Sequence, residues 1–103
     1  MPQVPQAPDD CQTMGEVRAG IDALDAELVA LLARRFGYMR AAARIKPRRE
    51  EVRDEPRKEQ VIANAVTRAE AEGLPPELIR AMWEQLVEGS IAYELGEWDR
   101  AKR

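Results

Sequence analysis

In two stretches of helical period, a charged or hydroxylated residue stands where the repeat calls for an apolar one. Val17, Ile21, Leu24, Leu28 and Leu31 step by four, three, four and three, and the next position in the row is Arg35. Lys46 follows eleven residues later, about three helical turns on, with Met39 and Ala42 between them on the same face. Near the C-terminus Ile79, Trp83 and Leu86 lead to Ser90 and Glu94 before the apolar row resumes at Trp98. Charged side chains are rarely buried unless paired. Three of them on inner faces of a small helical protein point to a polar pocket in its core, where bundles build ligand sites. Such a pocket offers a guanidinium fork, an ammonium, a carboxyl group and a hydroxyl. Arginine forks match carboxylates bidentately, so the expected ligand is a small polyanion. The chemistry it suits is one driven by positioning and electrostatics.

Plainer readings stand beside this one. Arg35 paired with Glu94 would be a buried bridge that fixes register. Lys46 near a helix end would favour the dipole and snorkel to water. Ser90 alone reads as a small packing residue, and Arg18 alone as a solvated arginine.

The positive charge is gathered unevenly. Arg44 to Glu59 holds seven basic residues in sixteen positions of a chain whose net charge is −3. A pI near 5.1 and the lack of aromatics in this stretch argue against nucleic acid as partner. There is no histidine, which removes the commonest general base, the commonest metal ligand and every Ser-His or Cys-His pair. Cys11 is the only cysteine, so no intrachain disulfide can form. No segment reads as a signal peptide or a membrane span, which leaves the cytoplasm as the expected location.

Three helices must position these residues. The first is expected over residues 13–46, opened by a Thr13–Glu16 capping box and ended by Pro47. The second starts at Asp54 or Glu55, with Pro56 in its first turn and Gly73 at its end. The third runs from Pro75-Pro76 to about Trp98. No strand-like alternation interrupts them, so the fold class is all-α, with a flexible tail over 1–12 and one helical domain over 13–103. The first helix would be about 50 Å long, against a radius of gyration of about 13 Å for a compact chain of this size. Its apolar stripe is too long for two shorter helices to cover, which implies a homo-oligomer, most simply a dimer of paired long helices. The alternative is a helix broken near Gly37, folding back as a four-helix monomer.

These residues resemble a known family, the all-helical chorismate mutases of the AroQ type together with the related isochorismate pyruvate lyases. The resemblance covers about residues 14–98. It is carried by Arg18, Ile21-Asp22, Leu24-Asp25, Leu31-Leu32, Arg34-Arg35 and Lys46, by "VRDEPRKEQVI" from Val52, and by "LVEGSIAYEL" from Leu86. It implies an intertwined homodimer of three-helix chains, with Arg18 delivered in trans to the other chain's site. Arg18 and Arg35 are about 25 Å apart along one helix, so they cannot hold one ligand in cis. It also implies a pericyclic rearrangement of chorismate to prephenate without cofactor or metal. By position, Arg18, Arg35 and Arg57 would hold the two substrate carboxylates, and Lys46 would donate to the breaking ether oxygen. Asp54 and Ser90 would line the pocket and place the ring.

Two positions depart from the mutase pattern. Glu94 stands where many members have glutamine, and a carboxylate must be protonated before it can donate. Activity is therefore expected to rise towards acid pH. Lys58 stands where mutases commonly have a glutamate for the ring hydroxyl, a glutamate that the lyases also lack. The neighbouring Glu59 is one substitute, and lyase activity on isochorismate is the other reading. The cysteine just before the first helix also has a lyase-like look. A non-enzymatic helical dimer acting as an interaction module is the reading from a different class. Arg48, Arg49 and Arg53, interleaved with Glu50, Glu51 and Glu55, read as a solvated lid that draws in a dianion.

Overall fold

The computed structural model describes residues 5–102. Among them the regular elements are helical throughout: α1 (Met14–Ile45), α2 (Glu55–Ala71) and α3 (Pro76–Ala101), with short 3-10 turns at Pro8–Asp10 and Arg49–Glu51. The all-helical, three-helix architecture expected from the sequence is the one observed. No described helix is long and apolar enough to cross a membrane.

The ends of the helices follow from local chemistry. Thr13 Oγ1 accepts from Glu16 N at 3.1 Å, the first half of a capping box. The return half differs from the ideal motif: the Glu16 carboxylate accepts from the Thr13 hydroxyl at 3.2 Å and from the amide of Gln12 at 3.3 Å. Asp54 caps α2, its Oδ1 accepting from Arg57 N at 3.0 Å, with a proline in the first turn. Gly73 leaves α2 with φ of +73°, the left-handed conformation that glycine enters most cheaply. Leu74 N donates to Ala69 O at 2.8 Å and Gly73 N to Glu70 O at 3.1 Å, the paired bonds of a Schellman cap. Pro47 denies α1 that ending, because a proline cannot adopt a left-handed conformation and pushes the residue before it out of the α region.

The chain divides into two compact units, one ending at Arg35 and one beginning at Phe36. α1 runs through both as a single helix of 32 residues, with no break at Gly37. In the first unit the backbone of Pro5–Pro8 lies beside the opening turns of α1 and lines an open cleft with Val17, Gly20, Ile21 and Leu24. The apolar row of the helix, Ile21 and Leu24 included, stays about half exposed. Ile21, Leu24, Leu28 and Leu31 are 51, 56, 55 and 54% exposed, where a core row would be near zero.

In the second unit α2 and α3 pack against each other. Their core is Val52, Ile62, Val87 and Ile91, with Val61, Val66, Trp83, Leu95 and Trp98 packed around it. The end of α1 joins through side chains. The Phe36 and Tyr93 rings meet edge to face, with centroids 4.9 Å apart, and Arg40 donates to the Tyr93 hydroxyl at 2.9 Å. Ala43 is fully buried.

Candidate active site

The polar residues that interrupt the α3 row are buried. Ser90 and Glu94 lie one turn apart on the inner face, between Val87, Ile91 and the core-packed Trp98. Ser90 Oγ donates to the carbonyl of Leu86 at 2.7 Å, the bond to the preceding turn that a helical serine can make. Glu94, with 5% of its side chain exposed, accepts from Lys46 Nζ at 2.7 Å. This charge-assisted bond joins two residues that the sequence placed on inner faces. No buried side-chain nitrogen or oxygen among the described residues lacks a partner.

Lys46 sits one residue past the end of α1, its amide still bonded to Ala42 O at 2.9 Å. Its own carbonyl accepts from the indole Nε1 of Trp98 at 3.0 Å. Trp98 and Glu94 are spaced i, i+4, so one face of α3 holds Lys46 by both its backbone and its ammonium.

The connection that follows is tied down rather than free. Val52 is buried in the core, and Arg49 makes a two-point contact with Asp99 at 2.8 and 3.3 Å. Arg53 bridges Glu55 and Glu88, each at 2.8 Å. Arg48 alone turns to its local neighbours, Glu50 and Glu51. The three arginines are solvated as expected, with side chains 69, 53 and 46% exposed, and Arg49 and Arg53 in addition pair with Asp99 and Glu88 of α3. Their pairing partners were not legible because they lie at least 35 residues away.

Lys58 has the most covered ammonium of the basic stretch. Its side chain is 12% exposed, and Nζ lies 2.8 Å from Glu84 and 2.7 Å from Glu88. The hydrogen bonds to Glu84 and then Glu88 hold its pKa above the ordinary lysine range. Glu88 in turn is held down to about 2, first by Arg53 and then by Lys58. Glu84 and Glu88 were not singled out from the sequence. The signal was present, two carboxylates one turn apart on α3, but nothing local indicates that Lys58 faces them. Arg57 is exposed, its guanidinium donating to Gln60 at 2.7 Å, and Asp54 serves its backbone as helix cap.

Of the expected site residues, the second unit thus brings together Lys46, Glu94 and the buried Ser90. It places Asp54 and Arg57 at the start of α2 and turns Lys58 towards α3. Arg18 and Arg35 lie on α1 in the first unit, Arg35 half-buried. An ammonium at the mouth of a helical core, held by a buried carboxylate, can donate to an oxygen that gains negative charge.

Residues 17–95 match the family described as chorismate mutase type II. The chain is also similar to an isochorismate pyruvate lyase from Pseudomonas aeruginosa. The two are 26% identical over 97 residues, which cover 94% of this chain and 96% of that protein.

Proposed function

The chain belongs to the chorismate mutase type II family, and from that premise we propose that it is a cofactor-free enzyme rearranging chorismate to prephenate. The observation that carries this reading is the part-buried Lys46–Glu94 pair at 2.7 Å on the inner face of the helical unit. In the rearrangement a carbon–oxygen bond breaks as a carbon–carbon bond forms, and negative charge grows on the ether oxygen. Lys46 turns from Glu94 to donate to that oxygen. Glu94 keeps the ammonium beside the core. The Lys46 hydrogen bond strengthens as charge develops, which lowers the barrier rather than merely binding substrate. Arg35, Arg57 and Arg18 of the partner subunit hold the two carboxylates, while Asp54 and Ser90 place the ring. Lys58, engaged with Glu84 and Glu88, locks α2 to α3, and the exposed Glu59 serves the ring hydroxyl.

The site needs a homodimer to be complete. The half-exposed row of Ile21, Leu24, Leu28 and Leu31 supports one, since leaving it in water is unfavourable by about 25 cal/mol per Å². The cytoplasmic location expected from the sequence belongs to the same proposal.

One observation favours a second reading, isochorismate pyruvate lyase. Lys58 replaces the mutase glutamate and is committed to ion pairs, and the Pseudomonas relative spans nearly the whole chain. Incubating the purified protein with chorismate and, separately, isochorismate decides between them. Prephenate from chorismate supports the mutase, and salicylate with pyruvate from isochorismate the lyase. Turnover of neither overturns both in favour of an interaction module.

A further inference from the structure

We propose that Trp98 is a positioning residue for Lys46 and that the last turn of α3 is a clamp on the end of α1, an inference that rests on the catalytic role of Lys46 given above. The end of an α-helix leaves its final carbonyls without intrahelical donors. A left-handed glycine cap usually supplies them, but Pro47 excludes that ending after α1. The donors come from α3 instead. Trp98 Nε1 reaches the carbonyl of Lys46 at 3.0 Å, and Lys102 Nζ reaches the carbonyl of Arg44 at 3.1 Å. Beyond Pro47, the guanidinium of Arg49 is forked onto Asp99 at 2.8 and 3.3 Å. Three residues of one helical turn therefore grip the chain on both sides of Pro47.

The Trp98 hydrogen bond matters most because of where it falls. The indole packs against the core of the second unit, so its N–H is fixed. Lys46 is outside the helix, and its backbone has no i+4 amide to hold it. With its carbonyl pinned, only its side-chain torsions separate a fixed backbone from the ammonium that Glu94 holds at 2.7 Å. Catalytic groups lose rate steeply when their support is loose.

Trp98→Phe keeps an aromatic ring in the core and removes the donor together with part of the indole's volume. The net value of such a bond corresponds to a loss of about three- to tenfold. We expect kcat and kcat/KM on the accepted substrate to fall together by that factor. KM is unchanged, because the weakened interaction is one that Lys46 makes in the transition state. Circular dichroism confirms the folded fraction, and amide exchange at residues 44–49 becomes faster. Arg49→Ala cuts the exposed fork without touching the core. It shows the same split with a smaller loss, about twofold, and decides the matter where Trp98→Phe fails to fold. Wild-type kcat in either folded variant, a change confined to KM, or unchanged exchange at 44–49 overturns the proposal. Exchange needs no substrate, so it decides the clamp even if the wild-type chain turns over neither substrate and the functional reading falls.

Discussion

Replacing Lys46 by methionine isolates what the buried Glu94 carboxylate needs from its partner. The substitution keeps an unbranched apolar stem out to Cε and removes the ammonium 2.7 Å from Glu94 Oε2. Removing one member of a buried ion pair destabilises by about 3–5 kcal/mol, because the remaining charge stays desolvated. Glu94 is 5% exposed, but Lys46 is 28% exposed, so water can enter from the lysine side. The low end of that range, about 3 kcal/mol, is therefore expected, a factor of roughly 150 in the folded-to-unfolded ratio. Glu94→Gln removes the buried charge and keeps an oxygen that accepts from Lys46. It is expected to shift stability by about 1 kcal/mol or less. In the double variant the stranded group is an amide rather than a carboxylate, so Lys46→Met loses most of its effect. The coupling is then about 2 kcal/mol, against the roughly 0.5 kcal/mol within which independent sites add. Urea unfolding followed by helical ellipticity measures this at one fixed protein concentration, since dimer formation would contribute by mass action. Lys46→Met no worse than Glu94→Gln, or additive with it, would refute the picture of a desolvated, mutually dependent pair. In the same variants, Lys46→Met is expected to lower kcat/KM by about 10²–10³, the usual loss for one donor to a developing oxyanion.

Mixing two inactive variants, Arg18→Ala and Lys46→Ala, tests whether Arg18 acts in trans. Random exchange makes about half the molecules heterodimers, each with one intact site, so about a quarter of wild-type activity returns; no recovery means Arg18 serves its own chain or none. Glu88→Gln probes the Arg53–Glu88–Lys58 network through acid stability. The folded-state pKa of Glu88 is depressed from 4.5 to about 2, so its contribution is fully present above about pH 5 and is lost as pH falls towards 2. Wild type should therefore exceed the variant in urea midpoint at neutral pH, the gap closing between pH 4.5 and 2; a pH-independent gap would refute it. Gly73→Ala places a side chain where nothing lies within 4 Å but φ is +73°, and the backbone conformation alone should cost about 1 kcal/mol in thermal or urea unfolding.

The sequence by itself determined the helices, because their signals are local. Thr13 and Glu16, Asp54 and Pro56, and Gly73 each act within a turn of their own position, and the observed ends fall within about two residues of the expected ones at most boundaries. It also marked Ser90 and Glu94, since a polar residue inside an apolar period stands out without knowledge of its neighbours. The unbroken α1 with its exposed row was legible for the same reason: helix continuity and period are properties of one segment.

Partners across the fold were decided only by the tertiary structure. Lys46 had a solvated alternative at the end of its helix until the distance to Glu94 Oε2 stood at 2.7 Å. Within the chain the nearest acids to Arg49 and Arg53 are Glu50, Glu51 and Glu55. Packing α3 beside the connection brought Asp99 and Glu88 within 3 Å as well, with Arg53 still on Glu55. Lys58 turned out to face Glu84 and Glu88, and Trp98, which the period marks only as an apolar residue, uses its single polar atom on the carbonyl of Lys46. Periodicity tells which face of a helix is inward. Which of several charges on the facing element comes within hydrogen-bonding distance depends on axial register and side-chain torsions, and those are set by how the core side chains interdigitate.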